Sequence, residues 1–173
     1  MNEVLKTIKE RRSIRDFKPD MPDKALVEQV VEAGLYAASA MGSQDTKILA
    51  VTNKQMRDMI SKVNSSIMSM GGDPFYGAPV VLIVLGDKNS ANRVYDGSLV
   101  MGNMMLAAES LGLANIWIHR AKEEFELPEF KDMLKKLGVS GEWEGIGHLA
   151  LGYAGCPHPE AAPRKADRVI WVE

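Results

Sequence analysis

A single cysteine, Cys156, stands in a chain of 173 residues, so no internal disulfide can form. The chain fits a reducing compartment, and Cys156, in a Pro/Gly-rich stretch without a charged neighbour, lacks the setting of a reactive thiol. Long apolar runs are missing as well. None reaches the roughly 18 to 20 residues that would span a bilayer, and the N-terminus carries no apolar leader core. A cytoplasmic protein without a membrane partner is expected. Charge of one sign is also lacking: 21 Lys and Arg face 23 Asp and Glu, a formal net charge of -2, which gives no global field toward nucleic acid.

Missing motifs narrow the chemistry further. No Gly-x-Gly-x-x-Gly follows a strand and no Gly-Lys-Ser/Thr loop occurs, so neither a Rossmann nor a P-loop nucleotide site is supported. His119, His148 and His158 show no paired spacing with cysteine or carboxylates, and no metal is expected. The absence of Gly-x-Ser-x-Gly, or of any Ser/His/Asp arrangement, argues against a hydrolase. No linker-like composition break divides the chain, so residues 1–173 read as one domain.

What is present is a dense basic cluster, Arg11-Arg12-Ser13-Ile14-Arg15-Asp16-Phe17, between a short apolar-periodic segment and Pro19. Three guanidinium groups so close repel one another unless something negative lies among them, and their planar forks match phosphate or carboxylate oxygens. The cluster reads either as a phosphate cradle or as cations suiting the negative end of the first helix.

Periodicity predicts helices over residues 2–10, 24–38, 54–63, 90–111 and 123–136, with Asn2 capping the first. Strands are expected over 47–52, 80–85, 114–120 and 148–153. The helix over 90–111 is apolar on more than one side, which makes it a core helix or a dimer seam, and Gly97, Gly102 and Ala107 would permit close packing. Residues 64–76 lack periodicity and hold Gly71-Gly72-Asp73-Pro74, so a long loop is expected, either a lid or solvated slack. The eleven methionines mostly suit a core with irregular gaps.

The ordered series resembles the nitroreductase family of flavin enzymes. Arg-Arg-Ser-Ile-Arg-Asp-Phe after the first helix is similar to its opening signature, and Ala78-Pro79, Leu111-Gly112-Leu113 and Leu151-Gly152-Tyr153 fall in the family's order. The resemblance implies an α+β fold, with a central mixed sheet flanked by helices, completed as an intertwined homodimer whose C-terminal strand crosses to the partner sheet. It implies FMN at the dimer interface, NADH or NADPH as transient donor, and a nitroaromatic, quinone or similar small acceptor. Arg11, Ser13, Arg164 and Lys165 would then hold the phosphate, with Arg12 and Arg15 reaching the ribityl chain or pyrimidine edge.

The family's loop of small residues against the flavin of the partner subunit would be Ala38-Ser39-Ala40 with Gln44. Ala38 replaces the usual Pro, Gly42 stands where Asn is common, and Asp45-Thr46 replaces Pro-Trp. Asn64 would meet the flavin's polar edge, and a backbone N–H of His119, Arg120 or Ala121 its reactive nitrogen. No catalytic side chain is assigned, because the cofactor carries the chemistry. A flavin-binding module without turnover, or a structural dimer whose cluster binds another phosphate ligand, would use the same residues.

Overall fold

The computed structural model describes residues 2–69 and 71–173. The first helix, α1 (Glu3–Glu10), is capped by Asn2, whose side chain accepts the Leu5 N–H at 3.0 Å. There follow α2 (Lys24–Leu35), a 3-10 turn (Ala40–Gly42), β1 (Thr46–Val51), α3 (Lys54–Ile67), β2 (Val80–Asp87), α4 (Arg93–Ser110), β3 (Ala114–Ile118), α5 (Ala121–Glu126), α6 (Pro128–Lys136) and β4 (Trp143–Gly152).

The strands form one sheet in the order β1-β2-β4-β3, and every neighbouring pair is antiparallel. The α+β class is as expected, but the four strands are not mixed. The run β2-α4-β3 reads as a crossover joining parallel neighbours, and β2 and β3 do point the same way. β4 enters between them, antiparallel to both. Among the described residues the parallel pairing is an isolated bridge from Ser13 to Asn115, which lays the basic segment along the outer edge of β3.

Both faces of the sheet are covered, which is why β2 is an unbroken apolar run. Its Val81, Ile83 and Leu85 pack toward α3, α5 and α6, where Ile60, Phe125 and Phe130 complete one core. Val80, Leu82 and Val84 pack toward α2 and α4 against Val30, Met101 and Met104. The methionines at 101 and 104 are fully buried, as the reading of a gap-filling core anticipates. The opposite side of α4 leaves Val94, Tyr95 and Leu99 exposed. Of the small residues on this helix, Gly97 is packed tightly, a Cβ there falling 2.7 Å from Ile146, whereas Gly102 has open space beside it.

Four elements depart from the sequence-based expectation. α3 continues to Ile67, so Asn64 is helical rather than in a loop; tertiary bonds to its side chain outweigh the weak helix propensity of Asn64-Ser65-Ser66. Met70, within the loop expected over 64–76, lies outside the described residues. The helix expected over 123–136 is two helices, because Pro128 forces Leu127 into an extended conformation (φ -69°, ψ 140°). β4 begins at Trp143 instead of His148. Its Gly145 and Gly147 resemble turn residues but serve close packing: a Cβ at Gly145 would overlap the Ala121 carbonyl, and one at Gly147 the Trp117 indole. Finally, residues 168–172 form no strand within the single chain, and Val169, Ile170, Trp171 and Val172 are exposed.

Candidate functional site

The C-terminal end of β3 opens on a cavity of about 330 Å³ whose lining includes Arg15, Asp73, Tyr76, Trp117, His119 and Arg120. These residues come from three distant parts of the chain. The Ser13–Asn115 bridge and the bond from Ile14 N–H to the Asn115 carbonyl (3.2 Å) set the basic segment against β3. The Asn115 carbonyl therefore points to the outer edge of the sheet, and the two-residue alternation of a strand gives Trp117 and His119 the same direction. Their main-chain groups face away from β4.

Asn64 organises this strand end from behind. Its side chain is wholly buried, donating from Nδ2 to the His119 carbonyl (3.0 Å) and accepting at Oδ1 from Arg120 Nε (3.0 Å). Arg120 has a left-handed backbone (φ 76°), an uncommon state for a side chain of this size, and it turns the chain from β3 straight into α5. Across the His119–Arg120 ridge lies a second cavity of about 650 Å³, with Val94, Lys122, Glu144 and Ile146 in its wall. His119 also packs near Trp117, ring centroids 6.0 Å apart.

The opposite wall is a loop locked by Asp73. Its carboxylate accepts from Ser61 Oγ (2.7 Å), Phe75 N–H (3.0 Å), Gly77 N–H (2.7 Å) and the Arg57 guanidinium. Burial alone would raise the Asp73 carboxyl, but these donors, Arg57 and Ser61 foremost, hold it below the usual carboxylate range.

The arginines of the basic segment divide. Arg12 donates through Nη1 to the carbonyls of Lys9 (2.6 Å), Glu10 (2.9 Å) and Arg11 (2.8 Å), closing the end of α1 as a cation at the negative pole. Arg11 is half-buried; burial lowers its guanidinium from the usual value, opposed by the charge of Glu109, with Arg12 lowering it further. Arg11 Nη1 and Arg12 Nε are buried without a hydrogen-bond partner among the described residues. Desolvated cationic donors with no acceptor suit a bound anion. Arg15 is exposed at the cavity.

The remaining expected residues are not gathered here. Ala38, Ser39 and Gln44 line a separate small cavity of about 160 Å³ with Asp96, in which Ser39 Oγ accepts the Gln44 N–H (3.0 Å) and Asp96 Oδ1 accepts the Ala40 N–H (3.1 Å). Arg164 and Lys165 lie exposed on the tail, Arg164 bonding the Ala162 carbonyl two residues back. His148, which has no paired spacing with a carboxylate in the sequence, lies 2.6 Å from Glu124 in space. Its partner precedes it by a whole helix and turn, so no local spacing could show it. The Arg57–Asp73 lock was equally invisible, since the loop between them reads only as glycine and proline.

The family model described as the nitroreductase family matches residues 8–74 and 68–153 of the chain. Among solved structures, a nitroreductase with bound FMN from Bacteroides fragilis superposes with a TM-score of 0.91 at 29% identity over 100% of both chains. A nitroreductase with bound FMN from Desulfitobacterium hafniense gives 0.88 at 31% identity, again over 100% of both. An FMN reductase [NAD(P)H] from Bacillus subtilis is 27% identical over 160 residues, 75% of this chain. The match spans 62% of that protein's length, and 60% of the length of another curated relative, from Methanothermobacter thermautotrophicus.

Proposed function

The chain belongs to the nitroreductase family, and from that premise we propose that it is an FMN-dependent oxidoreductase that takes its electrons from NADH or NADPH. The observation that carries the reading is the outward-facing main-chain N–H of His119 at the end of β3, beside a cavity that Arg15 and Arg120 make basic. The residues present fit the cofactor. The unpaired donor on Arg11 suits its phosphate, and Arg15 lines the cavity at the end of β3. Arg164 and Lys165 would reach that phosphate only once the tail is ordered. The fold and bound FMN of the Bacteroides fragilis and Desulfitobacterium hafniense proteins support the assignment.

FMN, when bound, supplies the two-electron chemistry: NAD(P)H gives up a hydride and leaves as NAD(P)+, and a nitroaromatic, quinone or similar acceptor then takes the electrons in the same cleft. The chain's part is binding, orientation and charge. A main-chain N–H at the end of β3 would meet the cofactor's reactive edge, and Arg15 and Arg120 would favour the negative charge of the reduced form. Asn64 holds that strand end in place.

The working unit is a homodimer. Val4, Leu5 and Ile8 of α1 and Tyr95 and Leu99 of α4 present apolar surface to solvent, which a partner would cover. The tail of one protomer, with Ile170 and Trp171, would add to the free edge of the partner's β1, beside a groove lined by Met21, Val27, Val31 and Leu35. The loop with Ser39 and Gln44 would then meet the flavin held mainly by the partner.

The visible spectrum of purified protein, followed by anaerobic NADPH and then NADH, tests the reading. A yellow protein that bleaches quickly and recovers with a quinone or nitro compound supports it. Yellow protein that does not bleach indicates a flavin-binding module without turnover, and colourless protein that refuses added FMN sinks the flavin assignment.

A further inference from the structure

Two ionisable side chains lie fully buried with no part in the chemistry above. Nε2 of His148 on β4 sits 2.6 Å from Oε2 of Glu124 on α5, and neither residue is accessible to solvent. The contact is an ion pair, and neither atom has a hydrogen-bond partner among the described residues, nor has Glu124 Oε1. The second ring nitrogen, Nδ1, lies 3.3 Å from the Ile118 carbonyl oxygen. The surroundings are apolar: the Phe75 ring is 5.3 Å from the imidazole, and Ile118, Ala121 and Phe125 belong to the same core.

The protons can be counted from these contacts. A carbonyl only accepts, so Nδ1 carries hydrogen to bond Ile118. Nε2 then faces a carboxylate, and that contact needs a proton between the two atoms. Imidazolium beside carboxylate and imidazole beside carboxylic acid are two descriptions of one neutral, once-protonated pair. Without that proton a bare anion would remain in an apolar core, the costlier state.

The placement gives the proton a purpose. The Ile118 C=O and the His119 N–H belong to one peptide group, and the His119 end lies on the free edge of β3. The next two peptides are held the same way, the His119 carbonyl by Asn64 Nδ2 (3.0 Å) and the Arg120 carbonyl by Glu124 N–H (3.0 Å). Bonding a peptide's carbonyl strengthens its N–H as a donor. Of the three carbonyl partners, only His148 brings a charge-assisted donor.

We infer that the Glu124–His148 pair is a positioning device for the end of β3, holding a buried proton that polarises the Ile118–His119 peptide and sharpens its N–H toward the cavity. The inference rests on the flavin reading, since the flavin's reactive nitrogen would accept from that N–H when oxidised and would carry a hydrogen of its own once reduced, so a stronger donor there favours the oxidised cofactor. Its signature is a split in affinity that a purely structural role would not produce.

The test uses FMN-loaded protein, wild type and Glu124→Gln, with the reduction potential of bound FMN measured by dye-referenced titration and the affinity for oxidised FMN by fluorescence quenching. The amide that this substitution introduces can donate to Nε2 and keep the ring in place, while the charge assistance is lost. Affinity for reduced FMN should change less than about twofold. Affinity for oxidised FMN should fall about tenfold, equivalent to about 30 mV for a two-electron couple. Equal changes in both affinities, or none in either, would overturn the inference while leaving the flavin reading intact; wild-type protein that binds no FMN would remove both. Should Glu124→Gln fail to fold, nitrogen-15 shifts of His148 in the FMN-loaded wild type decide the matter, because an Nδ1 without hydrogen contradicts the proton count.

Discussion

Arg57 and Asp73 join the helix α3 to the loop that walls the cavity: Arg57 Nη2 donates to Asp73 Oδ2 while its Nε donates to the Ala78 carbonyl at 2.9 Å. The guanidinium also stands over the Phe75 ring, 5.4 Å from its centroid. One buried cation thus fixes both ends of residues 73–78 and the aromatic side chain between them. Asp73→Ala leaves that cation only the Asp58 carboxylate, 3.3 Å from its Nη1, and should destabilise the protein by about 2 kcal/mol, read as a lower midpoint in urea.

The same contact sets an acid sensitivity. Asp73 is held below the usual carboxylate range in the folded chain, so its contribution to stability is fully present above the unfolded value, about pH 4. It is lost as pH falls through the folded value. The stability difference between wild type and Asp73→Asn should therefore shrink steadily below about pH 4; a constant difference down to acid unfolding would contradict the assignment.

The two neighbouring arginines should separate cleanly. Arg11→Ala removes a desolvated donor with no acceptor of its own and should weaken FMN binding by about 1 to 3 kcal/mol, the size of a charged hydrogen bond. Arg12→Ala removes the cap on three carbonyls of α1 and should cost about 1 kcal/mol of stability instead. Fluorescence titration with FMN and thermal unfolding, run on both variants, decide between the roles. Wild-type FMN affinity in Arg11→Ala would remove it from the phosphate site.

Gly145→Ala tests the contact between β4 and α5. The added methyl meets the main chain of Ala121, which cannot rotate aside as a side chain would. A loss of about 3 kcal/mol or more is expected by analogy with overpacked cores, seen as a drop in Tm. A neutral result would mean that α5 is free to shift.

The tail should govern assembly. Trp171→Asp places a charge on the segment expected to cross between protomers, so sedimentation should show a shift from dimer toward monomer, with FMN lost in parallel. A dimer that stays intact would place the interface on α1 and α4 alone.

Much of this architecture could be read before the structure, and the gaps have physical causes. Alternation and amphipathic spacing place β2, α2 and α4 because both are local properties of the chain, as is the Asn2 cap. The break at Leu127 is also local: Pro128 lies inside the helix expected over 123–136 and instead starts a second one. Gly145 and Gly147 carried a turn signal that was really a packing requirement, set by Ala121 and Trp117 from other elements. The site shows the same division. Its basic segment and the end of β3 are visible as short motifs, whereas the bonds of Asn64 to His119 and Arg120, and the pairing of Glu124 with His148, depend on elements meeting in space.

The strand order has a consequence for how the chain acquires its shape. β4 comes last of the four strands in sequence yet lies between β2 and β3. Until residue 152 is available, β3 has no strand to pair with and β2 has only β1. The half-built sheet would expose the interior edge of its most apolar strand, Val80–Asp87, to any other nascent chain. Closure is one long-range event that waits on β4, so folding should be slow.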